Sequence, residues 1–244
     1  IIDKKFLNTL SDIINFNSNT DVIEIGPGKG ALTDKIIEKK YNKLFLIEKD
    51  DKLCESLELK YKNKKKINII HQDALKMDIS KISSNKETIV IGNLPFNISS
   101  QLLINWISYN EWPPFYSRMY LMFQYELGKR IVSKKNNKRY GKISVLVQSR
   151  CQVRELIKAP SNIFNPKPKV NGLVLEIVPH NRMKDLEFIK LKKILNLAFN
   201  SRRKKIKNTL FDYNSYFENW DKIKDLRPED LDITEFCELS KRIN

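Results

Sequence analysis

Short runs of apolar residues alternate along the first 180 residues with stretches whose apolar positions recur at helical spacing. DVIEI (21–25), LFLI (44–47), INII (67–70), TIVI (88–91) and MYLMF (119–123) read as central strands, apolar enough to be covered on both faces. ALTDKIIEKK and DDKLCESLELKYK, lying between them, carry apolar residues near helical spacing with charges elsewhere. Strand–helix alternation of this kind predicts βαβ units, hence a mostly parallel sheet flanked by helices with right-handed crossovers. CQVRELI (151–157) and GLVLEIV (172–178) are too close together for another such unit and predict added strands, at least one antiparallel. The proline-rich APSNIFNPKPKVN between them predicts an ordered loop.

After Pro179 the pattern changes. Leu186, Ile189, Leu191, Ile194, Leu195, Leu197 and Phe199 fall at helical spacing, and a basic run, SRRKKIKN, follows. The expected organisation is a larger α/β domain over 1–180 and a small all-helical domain over 181–244.

Charge narrows the class. The 244 residues hold 45 Lys and Arg against 29 Asp and Glu, a formal net charge of +16. Such an excess predicts an anionic partner, with nucleic acid ahead of a membrane surface. No apolar run approaches the roughly 18 residues of a membrane span. Cys54, Cys151 and Cys237 are scattered and odd in number, and His71 and His180 stand alone. These residues offer neither a disulfide framework nor a metal pattern, and a reducing compartment fits. The chain opens on Ile1 rather than methionine, so the expectation is that a leading segment precedes it.

Candidate chemistry sits at strand ends. VIEIGPGKGALT places Gly26, Gly28 and Gly30 directly after the first strand. Glycines there allow a sharp turn and close approach of a ligand to the main chain, and a helix amino terminus offers N–H groups to an anion. Glu48, at the tip of the second strand, follows Gly30 by 18 residues, a separation suited to a ribose diol. Asp73, at the tip of the third, can accept a bond from an adenine amine or cap a following helix. The pattern fits an adenosine cofactor without separating NAD from S-adenosylmethionine.

The fourth strand ends in Asn93-Leu94-Pro95-Phe96. Pro95 restricts Leu94 to an extended conformation. That can aim the Leu94 carbonyl and the Asn93 side-chain oxygen at one exocyclic amine, while Phe96 stacks on an unstacked base. The chemistry this suits is methyl transfer to an amine nitrogen. Asn97-Ile98-Ser99 also matches a glycosylation sequon, although nothing suggests secretion.

VIEIGPGKGALT, LIEKD, HQDAL and GNLPFNISS resemble the successive motifs of ribosomal RNA adenine dimethyltransferases. RYGKISVLVQSRCQV, IFNPKPKVNGLVLEIVP and LAFNSRRKKIKNTL extend the likeness almost end to end, and it looks closest to the small-subunit branch. The resemblance implies a Rossmann-like methyltransferase fold with a small C-terminal helical domain. It also implies S-adenosylmethionine as methyl donor without a metal, and dimethylation of two adjacent adenosines in a hairpin near the 3′ end of small-subunit rRNA, coupled to ribosome biogenesis.

By the same resemblance Gly26 and Gly28 lie at the cofactor, Glu48 holds its ribose, Asp73 its adenine amine, and Asn93 the reaction centre with Leu94, Pro95 and Phe96. Members usually carry a Gln-Asn-Phe-Leu-like segment over the cofactor, and counting back from the glycine loop places Ile1 at its last residue. Arg202, Arg203, Lys204, Lys205 and Lys207 are expected to meet rRNA phosphates, or else to form a solvated helix face. The expected partner is small-subunit rRNA or a pre-small subunit, and the expected state a cytoplasmic monomer, with mitochondrion or plastid as the alternative setting. Competing readings are the large-subunit methyltransferase of the macrolide-resistance type, and a non-catalytic RNA-binding assembly or transcription factor of the same fold. An NAD oxidoreductase lacks the expected G-x-G-x-x-G spacing.

Overall fold

The computed structural model describes residues 1–83, 85, 87–183, 186–201 and 203–243. Seven strands form one sheet: β1 (Asp21–Ile25), β2 (Leu44–Glu48), β3 (Ile67–His71), β4 (Thr88–Asn93), β5 (Tyr116–Gln124), β6 (Cys151–Ala159) and β7 (Gly172–Pro179). Their order is β3-β2-β1-β4-β5-β7-β6. The first five are parallel, and β7 runs antiparallel to both β5 and β6. The apolar runs thus become strands where periodicity places them, and the closely spaced final pair supplies the antiparallel edge.

Alternate side chains divide the core between the two faces. Ile23, Ile25, Val90, Leu121, Phe123, Leu175 and Ile177 face one way. Val22, Ile89, Ile91, Tyr120, Met122 and Val174 face the other. Three helices cover the second face: α1 (Lys4–Ile13), α2 (Thr33–Ile36) and α3 (Asp51–Tyr61), through Phe6, Leu7, Leu10, Ile36, Leu57 and Tyr61. The strand-and-helix pattern above leaves α1 out. Asp3 caps it by accepting the Phe6 N–H at 2.6 Å. The helix predicted over 31–40 shrinks to the single turn of α2, because the glycine loop turns through residue 32 before regular helix begins.

Among the described residues the α-helices that follow are α4 (Ser99–Ile107), α5 (Tyr125–Ile131), α6 (Lys142–Gln148), α7 (Phe188–Asn200), α8 (Trp220–Ile223) and α9 (Ile233–Arg242). Leu102, Trp106, Val145, Leu191, Leu195, Ala198 and Phe236 share one buried cluster with the first sheet face. The helices beyond residue 181 pack on one another, α7 against α9 foremost, and through α6 and α4 their core is continuous with that of the sheet. The described residues of the basic run lie past the end of α7 in turns and a short 3-10 helix (Ile206–Asn208), not on an α-helix face.

Candidate active site

In a parallel sheet all carboxyl strand ends lie on one edge, and register decides which residues meet there. Ile25 pairs with Ile47 and with Gly92, and Glu48 with His71. The tips of β1, β2, β3 and β4 are thus level. A cleft of about 280 Å³ opens along them, lined by Gly26, Glu48, Asp73, Asn93 and Pro95 among others.

The first wall is the glycine loop. The Gly26 N–H donates to Ile47 O at 2.9 Å, the last rung between β1 and β2 before the chain turns. Gly26 has φ +65° and a Cβ there would meet nothing within 4 Å, so the space beside it belongs to the cleft. Gly30, at φ +76°, is tight instead: a Cβ would fall 2.4 Å from the Tyr61 hydroxyl. Left-handed backbone and close approach together require glycine at that position.

Beneath the loop lies a polar network, buried at Glu24 and Thr33 and open to solvent at Asp34 and Lys60. Thr33 Oγ1 donates to Glu24 Oε2 at 2.7 Å, and the Tyr61 hydroxyl lies 2.8 Å from Asp34 Oδ1 and 3.1 Å from Gly30 O. Lys60 Nζ reaches Asp34 Oδ2 at 2.7 Å. Burial pushes the Glu24 carboxyl up to about 7, against the opposing Thr33 hydrogen bond.

Glu48 ties loop and strand together. Its Oε2 accepts the Gly28 N–H at 3.1 Å, and its Oε1 accepts those of Lys49 at 2.9 Å and Asp50 at 3.2 Å. The carboxylate is buried yet faces the cleft. Asp73 Oδ1 accepts the Leu75 N–H at 3.0 Å, so one oxygen caps a turn. Among the described residues Oδ2 has no partner and stays open to a ligand.

At the β4 tip the Leu94 side chain is buried, anchoring the turn in the core. The Pro95 carbonyl accepts the N–H groups of Ile98 and Ser99, both at 3.1 Å, which starts α4. Among the described residues, neither the Asn93 side chain nor the Leu94 carbonyl has a hydrogen-bond partner. Two acceptors are thus left available at one strand end, of which Asn93 lines the cleft and Leu94 does not.

The cleft brings together Gly26, Glu48, Asp73, Asn93 and Pro95. Gly28 joins them through Glu48 without lining the wall. Phe96 is half-buried beside the lining residues Pro95 and Asn97 but is not itself part of the wall. Ile1 packs against the second-face cluster, next to Ile2, whose N–H donates to Ile163 O at 2.8 Å; it does not border the cleft.

Residues that pattern reading passed over also line the site: Gln72, Ala74, Ile98 and Leu102. Asn97, noted above only as the head of a sequon, is another. Their signal was adjacency, since each lies within a few residues of a named motif on the same strand end or on the first turns of α4.

In the basic run, Lys207 and Lys205 both reach Asp225 Oδ1, at 2.8 and 3.0 Å. Their hydrogen bonds, that of Lys207 foremost, hold the Asp225 carboxyl down at about 2. Arg203 and Lys204 are exposed, and Arg202 lies outside the described residues. The described residues contain no cluster of His, Cys, Asp and Glu suited to a metal, and no helix among them is long and apolar enough to cross a membrane.

Known proteins share both sequence and fold with this chain. A family model described as ribosomal RNA adenine dimethylase matches residues 1–243. The ribosomal RNA small subunit methyltransferase A of Ehrlichia ruminantium (strain Gardel) is 38% identical over 258 residues, covering 99% of this chain and 92% of that protein. The protein of the same name from Pelagibacter ubique (strain HTCC1062) is 36% identical over 252 residues, covering 99% and 92%. In fold, the chain superimposes on a dimethyladenosine transferase from Plasmodium falciparum with TM-score 0.83 at 21% identity, covering 98% of this chain and 95% of that one. The 23S rRNA methyltransferase ErmE follows at TM-score 0.68 and 19% identity, covering 98% and 97%. With a family model spanning nearly every residue and relatives this similar along their length, the chain belongs to the ribosomal RNA adenine dimethylase family.

Proposed function

We propose that this protein is a small-subunit rRNA adenine N6,N6-dimethyltransferase that takes its methyl groups from S-adenosylmethionine and modifies two adjacent adenosines in a hairpin near the rRNA 3′ end. The observation that carries the reading is the level meeting of Gly26, Glu48, Asp73 and Asn93 in one cleft, with two acceptors, at Asn93 and Leu94, that have no partner among the described residues. The relatives' shared name supports the small-subunit substrate.

The lining fits an adenosine-bearing methyl donor. Open space at Gly26 admits a ligand against the main chain. Glu48 offers a carboxylate already fixed by three backbone N–H groups, which suits a ribose diol. Asp73 Oδ2 suits an adenine amine, with Ile47, Ala74 and Leu102 supplying apolar wall. The donor substrate supplies a sulfonium-bound methyl carbon.

At the β4 tip the chemistry is positioning. An adenine amine is a weak nucleophile because its lone pair is delocalised into the ring. Acceptors at Asn93 Oδ1 and Leu94 O favour a pyramidal nitrogen with its lone pair turned toward the methyl group. The N–C bond forms as the C–S bond breaks, the bonding pair leaves on sulfur, and the amine proton passes to water. No strong base is needed, so alignment carries the rate. Phe96, next in sequence to the lining residue Pro95, supplies the ring that stacks on the extruded base.

We assign residues 1–180 to catalysis and residues 181–244, with Arg203 and Lys204 foremost, to rRNA phosphates, in a cytoplasmic monomer. The test is transfer of labelled methyl from S-adenosylmethionine to unmodified small subunits, against large-subunit rRNA, with the product nucleoside identified by mass spectrometry. Dimethyladenosine in the small subunit is expected. Dimethyladenosine only in large-subunit rRNA would move the assignment to the type of the ErmE fold neighbour. RNA binding without transfer to either would make the protein a non-catalytic factor.

A further inference from the structure

At the amino edge of the sheet, roughly 20–30 Å of strand away from the cleft, lies a second pocket. Arg150, immediately before β6, is its centre, and Asn110, Trp112, Ser149, His180 and Asn181 help to line its volume of about 340 Å³. Arg150 is only 6% exposed. Its guanidinium is held between two rings, 4.6 Å from the Trp112 centroid and 4.5 Å from that of Phe188. Nη1 donates to Ile107 O at 2.8 Å and Tyr109 O at 2.7 Å, at the carboxyl end of α4.

Those two carbonyls account for one nitrogen of three. Among the described residues, Nε and Nη2 have no hydrogen-bond partner, and no carboxylate pairs with the guanidinium. Neither nitrogen is sealed from solvent, and the space that reaches Arg150 is this pocket. Buried charges are ordinarily paired, because desolvation without a counter-charge is costly. The contrast within this chain is Glu176, equally buried, which holds Arg118 and Arg154 at 2.8 Å each.

Ser149 and His180 supply no counter-anion, and the donors left for a ligand are the Asn110 and Asn181 amides. His180 is kept neutral: burial lowers its pKa, Nε2 lies 3.2 Å from Gln148 O, and Nδ1 accepts the Arg182 N–H at 3.3 Å. The Ser149 hydroxyl donates to Leu146 O at 2.9 Å and keeps only acceptor capacity. Asn110 and Asn181 are exposed at the mouth, with amide donors to offer. A planar fork with two free nitrogens suits a tetrahedral oxyanion held by parallel hydrogen bonds.

We propose that this pocket is a phosphate-binding site, with Arg150 as its cation and Asn110 and Asn181 as its rim. The site stands independently of the methyl-transfer reading. Its phosphate can belong to an RNA backbone, giving the substrate an anchor on the edge opposite the cleft, or be a free ion.

Calorimetric titration with sodium phosphate, against sodium chloride at matched ionic strength, tests it. Saturable binding is expected for the wild type. Arg150→Met should weaken it about tenfold or more, the loss expected for hydrogen bonds to a charged group. Since Arg150 also caps α4, Asn181→Leu gives a second variant, exposed and outside the core, and should weaken binding as well. Trp112 fluorescence reports the same event locally. Equal heats for phosphate and chloride in the wild type would overturn the proposal, as would unchanged binding in a folded Arg150→Met or in Asn181→Leu. Prior addition of a small-subunit rRNA hairpin decides the source: abolition of the phosphate heat supports an RNA phosphate in the site, and its persistence supports a free-ion site.

Discussion

In the cleft, Glu48 is fixed by backbone N–H groups from its own neighbourhood and from the glycine loop. In the basic run, Lys205 and Lys207 are held by Asp225, eighteen residues or more further along the chain. The first arrangement presents a charge to a ligand; the second draws two charges away from one. Both regions looked equally functional as text. The difference teaches that a charged residue at a parallel strand end is placed by topology, whereas one in a surface turn is free to choose its partner after folding. Arg203 and Lys204, outside the Asp225 pair, are the better candidates for phosphate contact.

The largest break in this comparison comes from Asn93→Ala. Removing one of two acceptors should lower methyl transfer at least about 10²-fold, the scale of a lost alignment, while thermal unfolding stays close to wild type. Retained activity would remove Asn93 from the reaction centre. Next, Glu48→Ala should raise the KM for S-adenosylmethionine about 10–100-fold, as expected for hydrogen bonds to a charged group, with a smaller change in kcat. A loss confined to kcat would assign Glu48 to chemistry rather than binding.

In the basic run the effects are smaller and opposite in sign. Arg203→Ala should reduce the slope of log affinity against log salt for rRNA by about 0.9, the value for one phosphate contact on a duplex. Asp225→Asn, by releasing Lys205 and Lys207, should steepen that slope. Equal slopes in Asp225→Asn and wild type would mean that the two lysines stay off the RNA even when freed.

A stability effect, read by pH, lies under the glycine loop. With its folded pKa near 7 against an ordinary 4.5, Glu24 binds more protons folded than unfolded between those values. Its protonated form therefore contributes stability that is fully present below pH about 4.5 and lost as pH rises through about 7. Glu24→Gln, which keeps an acceptor for Thr33, should raise Tm by about 5–10 °C more at pH 8 than at pH 5, at roughly 2–4 °C per kcal/mol for a chain of this size. A gain independent of pH would show that Glu24 does not titrate in the fold.

Several things were legible in the chain alone. The strands at 21–25, 44–47, 67–70, 88–91, 119–123, 151–157 and 172–178 all form, because apolar runs of that length can be covered only inside a sheet, and βαβ handedness leaves their direction little choice. Gly26, Glu48, Asp73 and Asn93 then had to share an edge, since each ends a parallel strand. Tertiary structure decided what depends on partners distant in sequence. It turned the expected helix after the glycine loop into one turn, held there by Tyr61 and Glu24, and it paired Lys205 and Lys207 with Asp225. It also joined the helices beyond 181 to the sheet's core, and among the described residues it left Arg150 between Trp112 and Phe188 without a counter-charge. Hydrophobic period and strand direction are local properties that a sequence carries in its order. Pairing and burial of charge are settled only when remote segments compete for the same space.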